Sequence, residues 1–283
     1  MEYIFLFLAG MGATFNSFMS KQFNTKARVI NPFFYTANAA FFAMVFFVIS
    51  SGGKFYFTYD FLPYSIAFGI TYGITNFSTV KAMKYGPISL TVLASSISLV
   101  IPTLYGVIVL NDPFGILKCV GVIFLVFALI LINYKKNNDL KISPKWIIYA
   151  TMSFLGNGFL AIIQKNQQMT FDGVYRSEFM IVALAMVSVF FLILGLRVHG
   201  DKKNMLCECV KYAAPAGLAN GMVNFLVMVL TTMVPTMILF SSVQAIAMSL
   251  TFVLVLVVFK EKLSNAQTMG YILGIISVVL LNM

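Results

Sequence analysis

Charged residues are scarce in this chain of 283 residues, because only 10% of them are Asp, Glu, Lys or Arg, against about 25% in soluble domains. Apolar residues make up 60% of the chain, which is more than a soluble core of this size can bury. This composition excludes an ordinary soluble enzyme and a disordered chain. It predicts an integral membrane protein.

Histidine and cysteine are also rare, since the chain holds one histidine, His199, and three cysteines. A single histidine cannot form a His-Glu-x-x-His zinc motif or a set of Ser-His groups. The five aspartates fall at the ends of apolar runs or between them, so no pair of buried aspartates is predicted. The odd cysteine number indicates no disulfide framework, and no Walker-type glycine loop occurs. We therefore expect no enzymatic activity, no cofactor and no metal.

Long apolar runs dominate what is present, and a membrane helix needs about 20 mostly apolar residues. We predict ten such helices, at 3–20, 31–50, 62–82, 87–109, 113–133, 145–164, 177–196, 211–230, 235–258 and 264–281. Turn or charge signals separate the runs, for example the Gly86–Pro87 pair before the fourth. The most polar stretch, 133–143, lies close to the middle of the chain.

The chain carries 19 Lys and Arg and a net charge of +10. Only four of these cations fall at even-numbered loops, namely Lys54, Lys118, Lys165 and Arg176, and the other 15 fall at odd-numbered loops. Because basic loops stay in the cytoplasm, we expect the odd loops there and both termini outside. The cations lie between apolar runs and form no basic face, so we expect no nucleic-acid partner.

The two halves of the chain resemble each other. The segment 69–77 (GITYGITNF) matches 217–225 (GLANGMVNF) at an offset of 148 residues. Two further matches occur in the same order. At an offset of 144, Gly12, Phe15 and Lys21 match Gly156, Phe159 and Lys165. At an offset of 149, Asp112 and Gly121 match Glu261 and Gly270. Five predicted helices per half is an odd number, so the second half enters the membrane upside down. We predict an all-α membrane protein with ten helices in an inverted 5+5 repeat, comprising residues 1–137 and 138–283.

A helix that ends in an acid and is followed nine residues later by glycine occurs twice, at Asp112 with Gly121 and at Glu261 with Gly270. With ten short-looped helices in two halves, this pattern resembles the drug/metabolite transporter superfamily, EamA type. Gly12 and Lys21 are also similar to that family, whereas Asp112 stands where glutamate is usual. The resemblance implies that the first, third, fourth, sixth, eighth and ninth helices line a central cavity. It also implies cytoplasmic termini, opposite to the charge count.

The candidate substrate-binding residues are neutral polar side chains on those six helices: Asn16, Tyr72, Asn76, Ser95, Ser96, Asn157, Asn220, Asn224 and Gln244. Asn76 and Asn224 are related by the repeat, and each shares a helix stripe with two glycines. We expect both to lie at one depth around the cavity, or each to bond across a helix interface. Glu178, one turn into the seventh helix, is either a favourable helix-end acid or a coupling acid.

The other membrane-adjacent charges are interpreted as structural. We expect Lys21 and Lys165 to extend along their helices to the membrane interface. Asp112 and Glu261 end helices, where an acid opposes the helix dipole, so we expect helix N-terminal amides, such as those of the following helix, to hold them.

Together these features predict a transporter of the plasma membrane that moves a small polar or zwitterionic organic metabolite by alternating access. The chain's partners are then its small-molecule substrate and the lipid bilayer, and a single copy suffices for function. Two alternatives stay open: a multidrug or organic-cation exporter, and a non-transporting membrane scaffold or channel.

The orientation is testable in intact cells. A tag fused to the C-terminus should be reached by an impermeant antibody from outside, because the charge count places both termini there. A tag that stains only after permeabilisation would overturn this orientation.

Overall fold

The computed structural model describes residues 2–28, 31–85, 88–112, 115–133, 143–257 and 264–282. Within these ranges the chain forms eleven α-helices and no strand, so the predicted all-helical fold is confirmed. The helices are α1 (Glu2–Lys26), α2 (Pro32–Ser50), α3 (Leu62–Tyr85), α4 (Ile88–Ile97), α5 (Val100–Ile108), α6 (Ile116–Asn133), α7 (Pro144–Thr170), α8 (Arg176–Leu196), α9 (Lys202–Leu230), α10 (Thr236–Val257) and α11 (Asn265–Asn282).

The helices match the predicted runs in position, but several extend beyond their apolar part. α7 continues to Thr170 and α9 begins at Lys202, whereas the predicted runs end at 164 and begin at 211. The side chain of Asp201 caps α9 by accepting a hydrogen bond from the backbone N–H of Asn204 at 3.2 Å. Polar turns therefore continue these helices past the apolar segments.

The predicted single helix at 87–109 is two helices, α4 and α5, with Ser98 and Leu99 between them. The cause is Pro102, which lies in the first turn of α5 and has no N–H to donate to the carbonyl of Ser98. The hydroxyl of Ser98 turns back and donates to the carbonyl of Ser95 at 2.6 Å. The correction therefore follows from a proline inside an apolar run.

The chain forms two compact units. Unit 1 comprises Met1–Gly10, Ile74–Ile162 and Met233–Met283, and unit 2 comprises Met11–Gly73 and Ile163–Thr232. The predicted boundary between the two halves, at 137/138, lies outside the described residues, as do the Gly86–Pro87 turn and Glu261. The division into halves therefore stays a prediction.

In unit 2, α2 packs against both α8 and α9. Glycines on α9 allow close approach, since a Cβ on Gly217 would overlap the carbonyl oxygen of Ala39 and one on Gly221 would lie 2.8 Å from the Cβ of Phe46. On α3, a Cβ on Gly69 would lie 3.4 Å from the carbonyl oxygen of Ala183 on α8. The glycine stripe of α9 thus brings two backbones together, as the spacing predicts, whereas on α3 only Gly69 lies against another backbone.

In unit 1, α11 packs against α6 and α10, and α5 packs against α10. Their shared core consists of buried residues, namely Leu99, Leu125, Ala128, Leu129, Ala245, Met248 and Tyr271. The hydroxyl of Ser277 on α11 donates to the carbonyl of Gly121 on α6 at 2.9 Å. The opposite faces of α6 and α11 expose large apolar side chains, including Ile116, Phe127, Ile272 and Val279. Such apolar faces are suited to contact with lipid.

Asp112 accepts a hydrogen bond from the N-terminus of a helix, as predicted, but the helix is α10 and not the following helix, α6. Its Oδ2 accepts a hydrogen bond from the backbone N–H of Thr236, the first residue of α10, at 2.7 Å. Gly106 permits this approach, because a Cβ there would lie 2.5 Å from the same oxygen. The carboxylate therefore lies where a helix dipole favours negative charge.

Five helical stretches in the described residues are long and apolar enough to cross a membrane: 2–20, 32–50, 144–170, 176–196 and 202–230. Shorter apolar helical stretches occupy 94–108, 119–131 and 238–251. These lengths and compositions are those of membrane-spanning helices.

The glycine contacts give a matched pair of stability predictions. Gly217→Ala should destabilise the protein by about 1–3 kcal/mol, because the added methyl overlaps the α2 backbone. Gly73→Ala is the control, since the nearest atom to a Cβ there is 3.8 Å away, and better helix propensity should stabilise it by up to about 1 kcal/mol. Thermal unfolding in detergent measures both, and equal midpoints would refute the close approach.

Candidate functional site

Three amide side chains form a hydrogen-bonded cluster in unit 2. Gln164 Nε2 on α7 donates to Asn224 Oδ1 on α9 at 2.6 Å. Asn224 Nδ2 in turn donates to Asn220 Oδ1 at 2.6 Å and to the Asn220 carbonyl at 2.8 Å. Gln164 is buried and both asparagines are partly buried. The predicted pair Asn220 and Asn224 therefore lies together, joined to a second helix by Gln164.

A second set of amides lies one helical turn further along α7. Gln168 Nε2 donates to Gln167 Oε1, and Gln167 Nε2 donates to the carbonyl of Val174 at 3.3 Å. Gln168 Oε1 accepts from Nε of Arg176 at 2.8 Å. Both glutamines are fully buried, and together they tie the end of α7 to the start of α8.

The prediction that Lys165 extends to the membrane interface is wrong. Lys165 is buried, with 5% of its surface exposed, and its Nζ donates to the carbonyl of Thr231 at 2.6 Å. Thr231 is the C-cap of α9, where unpaired carbonyls carry partial negative charge. The ammonium is therefore satisfied by a helix end inside the protein. The side chain of Lys21, its repeat mate, lies outside what the structure describes.

A hydroxyl cluster lies in unit 1. Ser153 on α7 pairs its hydroxyl with that of Thr79 on α3 at 2.6 Å and with that of Ser95 on α4 at 3.1 Å. Asn157 Nδ2 donates to the Ser153 carbonyl at 2.8 Å. The predicted residues Ser95 and Asn157 are thus brought together by Ser153, which is fully buried.

The remaining candidates are partly buried on their predicted helices: Asn16, Tyr72, Asn76, Ser96, Glu178 and Gln244. The ring of Tyr72 stacks on Phe68 with 5.9 Å between centroids. Glu178 lies in the first turn of α8, where a helix dipole favours an acid. Asn76 belongs to unit 1 and Asn224 to unit 2, so their sharing of one cavity stays a prediction.

The cluster of unit 2 offers hydrogen bonding and positive charge. Its members are the neutral amides of Gln164, Asn220 and Asn224, with the cations Lys165 and Arg176 on the neighbouring turns. The described residues contain no group of three His, Cys, Asp or Glu that could hold a metal ion. The arrangement is therefore suited to holding a polar solute.

Gln168 and Arg176 are not predicted as site residues from the sequence. The predicted sixth run stops at residue 164, which leaves Gln167 and Gln168 outside a helix. The sequence nevertheless contains a pattern that indicates a longer helix. Gln164, Gln167 and Gln168 are spaced i, i+3 and i+4, so they would share one face of a helix that continues past residue 164.

Helices of membrane-spanning length and a polar cluster inside an apolar protein are features of membrane transport proteins. Residues 1–134 match the model of the EamA-like transporter family, part of the drug/metabolite transporter superfamily, and the resemblance predicted from the sequence is confirmed. The match ends just after α6. Members of this family are transporters and not enzymes, which supports the expected lack of enzymatic activity.

A protein of known crystal structure shares the fold. It superposes on the chain with a TM-score of 0.76 at 11% sequence identity, and the alignment covers 99% of this chain and 98% of the other. This similarity extends through both halves of the chain. No curated protein matches the chain significantly.

The bond between Gln164 and Asn224 is testable by a double-mutant cycle. Gln164→Ala and Asn224→Ala should each lower stability, and the double variant should lose less than the sum by about 0.5–1.5 kcal/mol. Asn38 provides the control, because its Nδ2 donates to the carbonyl of Phe34 in its own helix at 2.7 Å. Gln164→Ala and Asn38→Ala should be additive in chemical unfolding, and additivity in both pairs would refute the coupling.

Proposed function

We propose that this protein is a plasma-membrane transporter that moves a small polar or zwitterionic organic metabolite by alternating access. The observation that carries the proposal is the amide cluster of Gln164, Asn220 and Asn224 inside a protein of the EamA-like type. Buried polar groups in membrane proteins are costly and mark solute pathways.

The cluster has hydrogen-bonding capacity to offer a solute. Asn220 uses its oxygens to accept from Asn224, while its Nδ2 makes no hydrogen bond to a protein group in the described part of the chain. An amide nitrogen carries two N–H donors, and this one is not among the buried, unpartnered polar atoms of the described residues, so a solute can reach it. A polar solute with an acceptor atom would bond to these N–H groups.

Exchanged helix contacts support the inverted 5+5 repeat. Gly69 on α3 approaches the backbone of Ala183, and Gly217 on α9 approaches that of Ala39. The two glycines are 148 residues apart and the two alanines 144, the offsets of the predicted repeat. A second pair of contacts is exchanged in the same way, since Gly12 lies against Val223 and Gly156 lies against Thr75. Here the two glycines are 144 residues apart, and Thr75 and Val223 are 148 residues apart. Two related halves with exchanged contacts are the architecture in which one half rocks against the other.

The proposed halves are 1–137 and 138–283, and the family match ends at residue 134, close to that boundary. Because one chain contains both halves, we propose that a monomer transports. A site completed by residues of a second copy would contradict this.

The charges favour a neutral, zwitterionic or anionic solute over an organic cation. Lys165 and Arg176 lie on the turns next to the amide cluster, and like charges repel in a low-dielectric site. We therefore place the multidrug or organic-cation exporter second.

Solute counterflow tests the function directly. Proteoliposomes preloaded with one candidate metabolite should accumulate the same radiolabelled metabolite transiently, because alternating access exchanges solutes one for one. A scaffold gives no uptake, and a channel gives uptake without acceleration by the internal solute. Either result across a panel of amino acids, organic acids, sugars and nucleosides would refute the proposal.

Asn224→Ala should weaken the apparent affinity for the transported solute by about 1–3 kcal/mol, or roughly 5- to 150-fold, because a buried hydrogen-bonding partner is lost. Asn38→Ala is the matched control, since Asn38 bonds only within α2 among the described groups. The measurement is the concentration dependence of counterflow. Unchanged affinity in Asn224→Ala at wild-type rates would show that the cluster only joins helices.

A further inference from the structure

Arg176 is held by three elements of unit 2. It is the first residue of α8, and its Nε donates to Gln168 on α7 at 2.8 Å. Its guanidinium carbon lies 6.0 Å from the centroid of the Phe225 ring on α9. Nη2 lies against Gly173, where a Cβ would be only 2.7 Å away. The guanidinium is thus positioned from several sides, which is unlike a side chain that extends freely to the membrane surface.

The outer face of this guanidinium is accessible to a ligand, because its terminal nitrogens are not among the buried, unpartnered polar atoms of the described residues. Nη1 and Nη2 carry four N–H donors, and neither makes a hydrogen bond or an ion pair with a group in the described part of the chain. The adjacent acids, Asp172 and Glu178, make no ion pair with it. An anion bound here would meet a positively charged side chain and the positive end of the α8 dipole together.

The groups that touch Arg176 are an amide, an aromatic face and a glycine, and none of them neutralises its charge. The missing partner is therefore an anion. A guanidinium presents two parallel N–H groups that match the two oxygens of a carboxylate. Lys165, a buried cation of the same unit, donates to the Thr231 carbonyl. A carboxylate of one negative charge matches the single charge and the paired N–H groups of the Arg176 guanidinium.

The location relates this cation to the amide cluster. Gln168, which holds Arg176, lies one helical turn from Gln164 on the same face of α7. Phe225, which lies under the guanidinium, directly follows Asn224 on α9. A solute held by its carboxylate at Arg176 therefore has amide groups within about one helical turn for its remaining polar atoms.

We propose that Arg176 binds the carboxylate of the transported solute, which makes the substrate class a small monocarboxylate with further polar groups, such as an amino acid. This proposal rests on the proposed transport function and narrows its substrate. Gln168 is the positioning residue, since its Oε1 fixes the Nε of Arg176 and leaves the terminal nitrogens free to bind.

Ligand-induced thermal stabilisation of the purified full-length protein tests the proposal. The probes are the twenty L-amino acids, each paired with its carboxamide, and inorganic phosphate at equal ionic strength. At least one amino acid should raise the melting temperature of the wild type, and its carboxamide should not. Arg176→Gln should weaken this binding by at least roughly tenfold, and Arg176→Lys should keep a weakened response because its charge remains without the paired N–H geometry.

Arg197→Gln is the matched control, because Arg197 is exposed at the other end of α8 and should leave binding unchanged. The melting temperature without ligand shows whether each variant is folded. If Arg176→Gln does not fold, Arg176→Lys decides, and unchanged affinity in that variant overturns the proposal. Equal stabilisation by the carboxamide, or stabilisation by phosphate alone, also overturns it.

Counterflow with the same preparation separates this proposal from the transport function. Exchange of neutral or cationic solutes, with no response to any amino acid, overturns the role of Arg176 and leaves transport intact. Absence of both exchange and binding overturns the two together.

Discussion

The structure depends on one constraint: inside a bilayer there is no water to satisfy polar groups, so each of them must find a partner within the protein. The helices satisfy most of their own backbone groups, and at two helix ends a charged side chain from a distant segment supplies the missing partner. Asp112 accepts from the N-terminus of α10, and Lys165 donates to the C-terminus of α9. Both charges therefore stabilise helix ends at which a dipole favours them.

The same constraint makes the few polar side chains informative. The amides of Gln164, Asn220 and Asn224 bond to one another, yet they do not exhaust their donors. Arg176 has still more unused hydrogen-bonding capacity, because it carries a full charge and only one of its three guanidinium nitrogens is bonded in the described chain. Incomplete satisfaction in an otherwise apolar protein indicates groups that a solute completes.

The sequence was sufficient to predict features that depend on local pattern. Apolar run length predicted the helices, and the spacing of Gly217 and Gly221 predicted the close approach of another backbone. Features that depend on which helices meet could not be predicted in this way. The contact of Asp112 with α10 and the burial of Lys165 against Thr231 each join segments far apart in the chain. The break before α5 could have been predicted in part. Pro102 is present in the sequence, but it lies inside a continuous apolar run that by itself indicates one long helix.

The most direct test of the central claim, that the amide cluster lines a site open to each side of the membrane in turn, is cysteine accessibility. Asn220→Cys would be placed in a background in which Cys119, Cys207 and Cys209 are replaced by alanine. An impermeant thiol reagent should label this cysteine in both right-side-out and inside-out vesicles, and the transported solute should protect it. Labelling from neither side, or from one side only regardless of solute, would contradict alternating access at this cluster.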